Sequence, residues 1–265
     1  MHGNTMITSV HNPKVQAIRK LQTQAKARRE MQAFVIEGVR LAEEALRGGW
    51  EAQLVLFTDQ LDERGKVVLD SIAARGVPVE QVTDTVMKTI SETETTQGIL
   101  VVLGLHRLSI PTILDFALIM DGLRDPGNMG TILRTAAAAG VQTVLLAPKC
   151  ADAFAPKVLR AGMGAHFQLP IHQLSWDGIT RILKDPGSKL RVYLADPMAG
   201  IPYSQADFHS PAALIIGGEA GGAGPESFSL ADEKVHIPMP GGSESLNAAI
   251  AASILIFEVV RQRVN

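Results

Sequence analysis

The sequence Ile237-Pro-Met-Pro-Gly-Gly-Ser-Glu-Ser-Leu-Asn-Ala-Ala-Ile-Ala251 runs from a short apolar segment into the last helix of the chain. Residues 234–238 predict a strand, and the largely apolar run 248–257 predicts a buried helix. In the loop between them, glycines let a ligand approach the backbone, while Ser and Asn are preferred helix N-caps. Taken alone, a Gly-Gly-Ser loop is more often a tight turn than a binding loop.

Two further glycine-rich polar segments, 125–140 and 217–224, also follow apolar runs. Functional loops of parallel sheets gather at the carboxyl ends of the strands. All three segments leave predicted strands at that end, so we expect them to meet.

The composition is that of a globular protein with room for two domains. The chain has 265 residues, of which 46% are hydrophobic and 20% charged. Aromatic residues make up only 5%, which argues against a platform of rings that stack on bases. The run 248–257 is shorter than the ~20 residues that span a bilayer, so we predict no membrane association.

A single cysteine, Cys150, excludes an internal disulfide and is typical of a reducing compartment. The seven histidines show no paired spacing with other ligands, so we predict no metal site. Together these features favour a cytoplasmic protein.

The amino-terminal segment is basic although the formal net charge of the chain is −2. Residues 1–29 contain no Asp or Glu, and clustered cations of this kind are typical of contacts with nucleic-acid phosphates. A solvated helix face and a targeting presequence have the same composition. The cations are Lys14, Arg19, Lys20, Lys26, Arg28 and Arg29.

Strand-like and helix-like segments alternate along the chain, which predicts an α/β fold. Up to residue 105 we expect a helix over 12–30 and then a small α/β domain with a largely parallel sheet. The pattern lapses around 106–111 and resumes with a strand at 116–120, and further on a strand is predicted at 167–170. We therefore predict domains over 1–106 and 112–265, joined by a linker over 107–111.

The segment 125–140 predicts a helix in which Asn128 is the N-cap. Arg134 near the helix start is suited to an anion, because a guanidinium and free N–H groups both favour negative charge. A surface ion pair between Arg134 and Asp125 is an equally good interpretation of the residues alone. The glycines of 217–224 do not indicate a dinucleotide site, since Pro225 and a short polar segment follow instead of a long helix.

Together the three segments resemble the signature motifs of the SpoU-type RNA 2′-O-ribose methyltransferases of the SPOUT superfamily. The motifs read Asn128-x-Gly130-x3-Arg134, Ile216-Gly-Gly-Glu219, and Ile237-Pro-Met239-x-Gly241-x3-Ser245-Leu-Asn247. Residues 12–46 also resemble the start of the L30e-like substrate-binding domain of many members, which weakens the presequence interpretation. Ala220 and Ala223 depart from the pattern, where a glycine and a larger aliphatic residue are usual.

The resemblance implies a carboxy-terminal domain tied in a trefoil knot, S-adenosylmethionine as cofactor, and a homodimer formed through that domain. Residues that would hold the cofactor are Ala195, Gly217, Gly218, Ile237, Met239, Ser245 and Leu246. Those that would line the reaction centre are Asn128, Arg134, Glu219, Ser245 and Asn247, and the basic residues of the amino-terminal domain would bind RNA.

Within that resemblance, we expect Arg134 to stabilise charge on the attacking oxygen or to position a phosphate, because a guanidinium keeps its proton in proteins. The proton of the ribose hydroxyl would leave to water, Ser245 or a substrate phosphate. Asn128 and Asn247 would orient the loops, and Glu219 would hold a neighbouring loop or an arginine. Large-subunit ribosomal RNA is the preferred substrate, with transfer RNA, or a non-catalytic knotted RNA-binding protein, as alternatives.

Overall fold

A computed structural model describes residues 6–93, 95–219 and 221–264. By their internal contacts the residues form two units. The first contains Met1–His106 with Phe154–Phe167, and the second contains Arg107–Ala153 with Gln168–Asn265. None of the helices in the described residues has the length and hydropathy needed to span a bilayer.

The first part of the chain alternates helices and strands, as predicted. One prediction is wrong: the helix expected over 12–30 is two helices, because Gln24 is extended (φ −126°, ψ 111°) and breaks the chain of helical hydrogen bonds. The elements are α1 (Pro13–Thr23), α2 (Ala25–Met31), β1 (Ala33–Glu37), α3 (Val39–Arg47), β2 (Ala52–Phe57), α4 (Glu63–Ala73), β3 (Val79–Gln81), α5 (Asp84–Ile90) and β4 (Ile99–Gly104).

The four-stranded sheet of this unit has the order β1-β4-β2-β3. β2 and β3 are parallel, but β4 lies between β1 and β2 and is antiparallel to both. The prediction of a largely parallel sheet is therefore wrong, and the sheet is mixed. The alternating pattern does place β1, β2 and β3 in one direction, so the error lies in β4 alone.

The chain returns after α5 to the edge of the sheet at which β1 and β2 end, and this gives β4 its reversed direction. The hydroxyl of Ser91, just after α5, donates to the carboxylate of Glu37 at the end of β1. The Thr58 N–H, just after β2, donates to the Gly98 carbonyl. The chain thus enters β4 at the edge where β1 and β2 end.

The remaining elements follow in chain order. The strand predicted at 167–170 is wrong: residues Ala165–Phe167 form a 3₁₀ turn, and Pro170, which has no N–H for a sheet hydrogen bond, precedes the strand. The elements are β5 (Phe116–Asp121), α6 (Pro126–Ala138), β6 (Thr143–Leu146), α7 (Pro156–Gly162), β7 (Ile171–Gln173), α8 (Trp176–Leu183), β8 (Arg191–Ala195), β9 (Ile201–Pro202), β10 (Ala212–Gly217), α9 (Pro225–Leu230), β11 (Glu233–His236) and α10 (Ala248–Val264).

These strands form a seven-stranded sheet with the order β7-β6-β5-β10-β8-β11-β9, in which every pairing is parallel. All carboxyl ends of the strands therefore lie at one edge and all amino ends at the other. The central strands are apolar and buried along nearly their whole length, as parallel strands covered on both faces are. The three polar segments all leave the carboxyl edge.

The segment Phe154–Phe167 lies between β6 and β7 in sequence but belongs to the first unit. Its Leu159 and Phe167 are buried in the core of that unit. The Trp50 indole N–H donates to the Phe167 carbonyl over 3.3 Å, and the Phe34 and Phe154 rings lie 4.9 Å apart. The first unit is thus built from two separate stretches of sequence.

Candidate active site

A cavity of about 600 Å³ opens at the carboxyl edge of the seven-stranded sheet. It lies where β8, β10 and β11 end and α10 begins, and its size is typical of a site for a small organic cofactor. Every residue that the sequence assigned to the cofactor lines it, and so do three of the five assigned to the reaction centre, with Ser245 in both sets. These are Ala195, Gly217, Gly218, Ile237, Met239, Ser245 and Leu246, and then Glu219 and Asn247.

Two glycines let the backbone of the cavity wall pack closely. A Cβ at Gly218 would lie 2.3 Å from the Gly122 carbonyl oxygen, and one at Gly217 would lie 2.5 Å from the Ala223 nitrogen. No side chain fits at such distances from backbone atoms. Gly218 and Gly222 also exchange two backbone hydrogen bonds of 3.1 and 3.0 Å, so the loop folds back on itself. The loop after β10 is thereby pressed against the loop after β5.

Glu219 joins these two loops through its carboxylate. It accepts hydrogen bonds from the backbone N–H groups of Arg124 (3.2 Å) and Asp125 (3.4 Å) and from the Asn128 side-chain amide (2.9 Å). Partial burial by itself would raise the pKa of Glu219, but these donors outweigh it and the pKa is lowered. Glu219 therefore stays charged at neutral pH, and it holds a neighbouring loop rather than an arginine.

Asn128 and Asn247 extend this arrangement to the third segment. The Asn247 side-chain amide donates to the Asn128 side-chain oxygen over 3.0 Å. The Asn247 side-chain oxygen accepts from the backbone N–H of Ala249 (2.8 Å) and caps α10. The chain Glu219–Asn128–Asn247 thus ties one residue from each of the three predicted segments together.

The prediction that Asn128 is the N-cap of its helix is wrong. Asp125 has that role, because α6 begins at Pro126 and the Asp125 carboxylate accepts from the Asn128 N–H over 2.7 Å. Pro is common at the first helical position, since its missing N–H needs no partner there. Capping by Asp125 leaves the Asn128 side chain free to bridge Glu219 and Asn247.

Asp121, at the end of β5, was not predicted from the sequence. Its carboxylate is 8% exposed and accepts from the Gly224 N–H (2.6 Å) and from the hydroxyl of the fully buried Ser227 (2.8 Å). It holds the far end of the loop that begins at Gly217. An acidic residue that ends a wholly apolar run is the sequence signal that could have found it.

Asp196 and His236 also line the cavity and were not predicted. The Asp196 carboxylate lies 3.9 Å from the Lys234 ammonium. The Nδ1 atom of His236 lies 3.1 Å from the Gly200 carbonyl oxygen and must carry the proton there, since a carbonyl only accepts. The two carboxylates of Asp196 and Glu219 in the walls suit a ligand that carries positive charge.

Arg134 is not brought into the cavity. It lies on an exposed side of α6, six residues beyond Asn128 and therefore on a different face of the helix. The alternative ion pair with Asp125 is not formed, and within the described parts of the chain Arg134 has no acidic partner within 4.0 Å.

The basic residues of α1 and α2 differ in what they offer a ligand. Arg28 is 5% exposed and donates to the carbonyls of Leu21 and Gln22 at the end of α1, so its charge is turned inward. Lys14 pairs with Glu80, and Lys26 lies 3.6 Å from Glu30. The three others are exposed and have no acidic partner among residues 6–93, 95–219 and 221–264: Arg19, Lys20 and Arg29.

The basic segment is also part of the folded unit, because Val15, Ile18 and Leu21 of α1 are buried in its core.

In the described part of the chain, no group of three or more His, Cys, Asp or Glu side chains is placed to hold a metal ion. Ala220 lies outside the described residues, while Ala223 packs against the apolar cluster beneath the loop.

Comparisons with known proteins agree with this geometry. Residues 115–257 match the SpoU rRNA Methylase family, and residues 12–101 match the MRM3-like substrate binding domain. The 23S rRNA (guanosine(2553)-2′-O)-methyltransferase RlmP of Bacillus subtilis is 34% identical over 96% of this chain and 98% of its own.

Two solved structures are similar over almost the whole chain. The AdoMet-bound rRNA methyltransferase of Sinorhizobium meliloti superposes with a TM-score of 0.87 at 32% identity, covering 97% of both chains. The SpoU methyltransferase AviRb of Streptomyces viridochromogenes, in complex with AdoMet, has a TM-score of 0.85 at 26% identity, covering 96% of this chain and 99% of its own. The predicted knotted α/β fold, enzyme class and cofactor are confirmed. The chain therefore belongs to the SpoU rRNA methylase family of S-adenosylmethionine-dependent RNA 2′-O-ribose methyltransferases.

Proposed function

We propose that this protein methylates one ribose 2′-hydroxyl of large-subunit ribosomal RNA, at the guanosine that corresponds to 2553 in the substrate of RlmP. Similarity to RlmP extends over 96% of the chain and so includes both units. The observation that carries the proposal is the Glu219–Asn128–Asn247 chain of hydrogen bonds, which fixes three loops around the cavity.

In the proposed reaction, bound S-adenosylmethionine supplies an electrophilic methyl group on a sulfonium. Transfer of this methyl to the ribose 2′-oxygen would leave the electron pair of the broken carbon–sulfur bond on sulfur. The backbone at Gly217, Gly218 and Leu246 would hold the cofactor, and the carboxylates of Glu219 and Asp196 would favour the positive sulfonium. Ser245, water or an RNA phosphate takes the hydroxyl proton.

The first unit is proposed to bind the RNA. Arg19, Lys20 and Arg29 are exposed cations without acidic partners in the part of the chain that the structure describes, and such cations bind backbone phosphates. Arg28 is left out of this surface because it is buried. We propose the same domain division as before, at 1–106, 107–111 and 112–265. The segment Phe154–Phe167 of the last range packs with the proposed RNA-binding unit.

The second unit is proposed to form a homodimer through α10. Ile250 is 51% exposed and Phe257 is 49% exposed, and seven residues' separation places both on one face of this helix. Thr135 Oγ1 lies 3.3 Å from Ser253 Oγ, so α6 packs beside that face. Arg134, next to Thr135, would then lie at the interface, where it can serve a cavity other than that of its own chain.

Replacing Phe257 by Asp tests the dimer, because a charge buried at an apolar interface is costly. We expect the variant to sediment as a monomer and the wild type as a dimer. Val67→Asp is the matched control, since Val67 is a 66% exposed apolar residue on α4. An unchanged dimer in Phe257→Asp would rule out this face.

The reaction is tested with labelled S-adenosylmethionine and ribosomal RNA that lacks ribose methylation. We expect one labelled ribose, at the guanosine corresponding to 2553, and none in transfer RNA. Label in transfer RNA alone would favour the alternative substrate.

We place the reaction in the cytoplasm, in keeping with the single, half-buried Cys150, whose pKa is raised by burial so that the thiol stays protonated.

A further inference from the structure

Lys149 has a backbone conformation that a lysine does not favour. It lies in the turn after β6 with φ of 71°, in the left-handed region where a side chain is strained. The other non-glycine residues with positive φ in the described chain, Gln32 and Met163, end α2 and α7, where a left-handed residue commonly stops a helix. Lys149 ends no helix, so a glycine would fit its position better.

Hydrogen bonds on both sides hold the turn in this conformation. The Ala147 N–H donates to the Met120 carbonyl over 2.9 Å, and the Cys150 thiol donates to the same oxygen over 3.2 Å. The Ala151 N–H donates to the Leu123 carbonyl over 2.8 Å. The turn that carries Lys149 is therefore fixed against the end of β5 and the loop that follows it.

Arg124 lies on that neighbouring loop, directly after Leu123. Its backbone N–H is held by Glu219, while its side chain is exposed, as is that of Lys149. Neither cation has an acidic partner within 4.0 Å in the part of the chain that the structure describes.

Three carboxylates of this region are already occupied by other donors. Asp121 accepts from Gly224 and Ser227, and Asp125 accepts from the Asn128 N–H. Glu219 accepts from the N–H groups of the loop. Two exposed cations are thus carried by hydrogen-bonded backbone beside the hydrogen bonds that join Glu219, Asn128 and Asn247, and neither is paired with an acid of residues 6–93, 95–219 or 221–264.

We propose that Arg124 and Lys149 bind backbone phosphates of the substrate RNA next to the ribose that is methylated. The inference rests on the proposed RNA substrate and deepens it, because it assigns an RNA-binding surface to the second unit itself. Contacts to phosphates fix the register of an RNA without reading its sequence. A glycine at position 149 would relieve the strained backbone but would remove the cation.

Salt dependence of RNA binding tests the proposal. Affinity for a transcript of the 23S rRNA region around the target guanosine is measured by fluorescence anisotropy over a range of KCl concentrations. For Arg124→Gln and for Lys149→Gln, we expect the slope of log affinity against log salt to become less steep by roughly 0.7 to 0.9 per lost phosphate contact. Lys189→Gln, an exposed lysine before β8 at the other edge of the sheet, is the control and should keep the wild-type slope.

Lys149→Gly gives a second readout that a structural role would not produce. Glycine relieves the left-handed strain, so the midpoint of thermal unfolding should rise or hold, while RNA affinity falls as in Lys149→Gln. Affinity for S-adenosylmethionine should not change.

Unchanged slopes in both Gln variants, or a Gly variant that is less stable and binds RNA normally, would overturn the assignment. A wild-type enzyme that transfers no methyl to ribosomal RNA would contradict the proposed function instead, and the binding slopes distinguish the two failures.

Discussion

Most carboxylates at the two edges of the seven-stranded sheet have different kinds of partner. At the amino edge, acids pair with cations: Asp115 lies 2.6 Å from Arg263, Asp232 lies 2.6 Å from Lys184, and Glu233 lies 3.0 Å from Arg191. At the carboxyl edge, Asp121, Asp125 and Glu219 accept hydrogen bonds from backbone N–H groups, a hydroxyl and a carboxamide.

This difference teaches how one edge becomes a site. Ion pairs at the amino edge neutralise charge and fasten neighbouring elements, among them the end of α10, whose Arg263 also binds the carbonyls of Phe208 and Ser210. At the carboxyl edge Asp196 lies 3.9 Å from Lys234, but the hydrogen bonds to Asp121, Asp125 and Glu219 fix loops without an arginine or lysine side chain. Cations there stay available for a polyanionic substrate.

Removal of the Glu219 carboxylate should produce the largest contrast between the edges. Glu219→Ala frees the loop after β5 and Asn128 together, and a displacement of about 1 Å in a catalytic group can cost on the order of a hundredfold in rate. We expect a loss of that size in kcat for methyl transfer to ribosomal RNA. Glu233→Ala, which breaks an ion pair at the amino edge, should stay within severalfold of wild type. Equal rates for the two variants would show that the edges are equivalent.

An added methyl group at Gly218 should have the next largest effect. Its Cβ would lie 2.3 Å from the Gly122 oxygen, and overpacking of this kind costs about 1–3 kcal/mol, or roughly 5- to 160-fold in affinity if the loop must move to bind cofactor. Calorimetric titration of Gly218→Ala with S-adenosylmethionine measures this loss. Gly178→Ala in α8 is the control, since its Cβ would meet its nearest neighbour at an ordinary contact distance of 3.4 Å and the residue lies outside the cavity. Similar affinities for the two variants would contradict the close approach.

The Asp121 carboxylate and the Asp232 carboxylate form a matched pair with a smaller expected difference. Each accepts one backbone N–H and one side-chain donor, Asp232 from Val192 and Lys184. Asp121→Ala leaves a buried donor unsatisfied, which costs about 1–3 kcal/mol of unfolding free energy, and should weaken cofactor binding severalfold because the loop loses its far anchor.

For the control, Asp232→Ala should lower the denaturation midpoint but leave cofactor affinity unchanged. Asp121→Asn keeps an acceptor oxygen and should restore most of the binding. If Asp121→Ala and Asp232→Ala bind cofactor equally well, Asp121 supports the fold without positioning the loop.

The sequence was sufficient for the motifs and most elements, but not for the contacts that depend on three-dimensional pairing. Glycines and polar caps after apolar runs located the cavity wall, because tight turns and helix starts need those residue types whatever the rest of the fold is. Asn128 was misassigned as a cap because Asp125 and Asn128 both suit that position, and only the helix start at Pro126 decides between them. The direction of β4 depends on which edge of the sheet the chain reaches after α5. The periodicity of the sequence does not indicate that edge.

The backbone strain at Lys149 also could not be predicted from the sequence. Nothing in the run Ala147-Pro-Lys-Cys150 distinguishes a strained lysine from an ordinary surface one, since φ is set by hydrogen bonds to the end of β5. The segment Phe154–Phe167 likewise reads as part of the second domain, and only its burial with Phe34 and Trp50 assigns it to the first unit. Deletion of residues 1–106 would therefore expose Leu159 and Phe167.

The smallest expected effect is the pH dependence of the carboxyl edge. The pKa of Glu219 is lowered from 4.5 in the folded protein, so the unfolded chain binds that proton more readily. The stabilisation is therefore fully present above about pH 4.5 and is lost as the pH falls through the lower, folded value. We expect the free energy of unfolding of wild type to exceed that of Glu219→Gln by a constant amount at neutral pH, and the gap to narrow only below about pH 4.5. Urea titrations at several pH values measure the gap. If it instead narrows between pH 5 and neutrality, Glu219 is not held in its charged form by the loop N–H groups, and the distinction drawn between the two edges fails at its central residue.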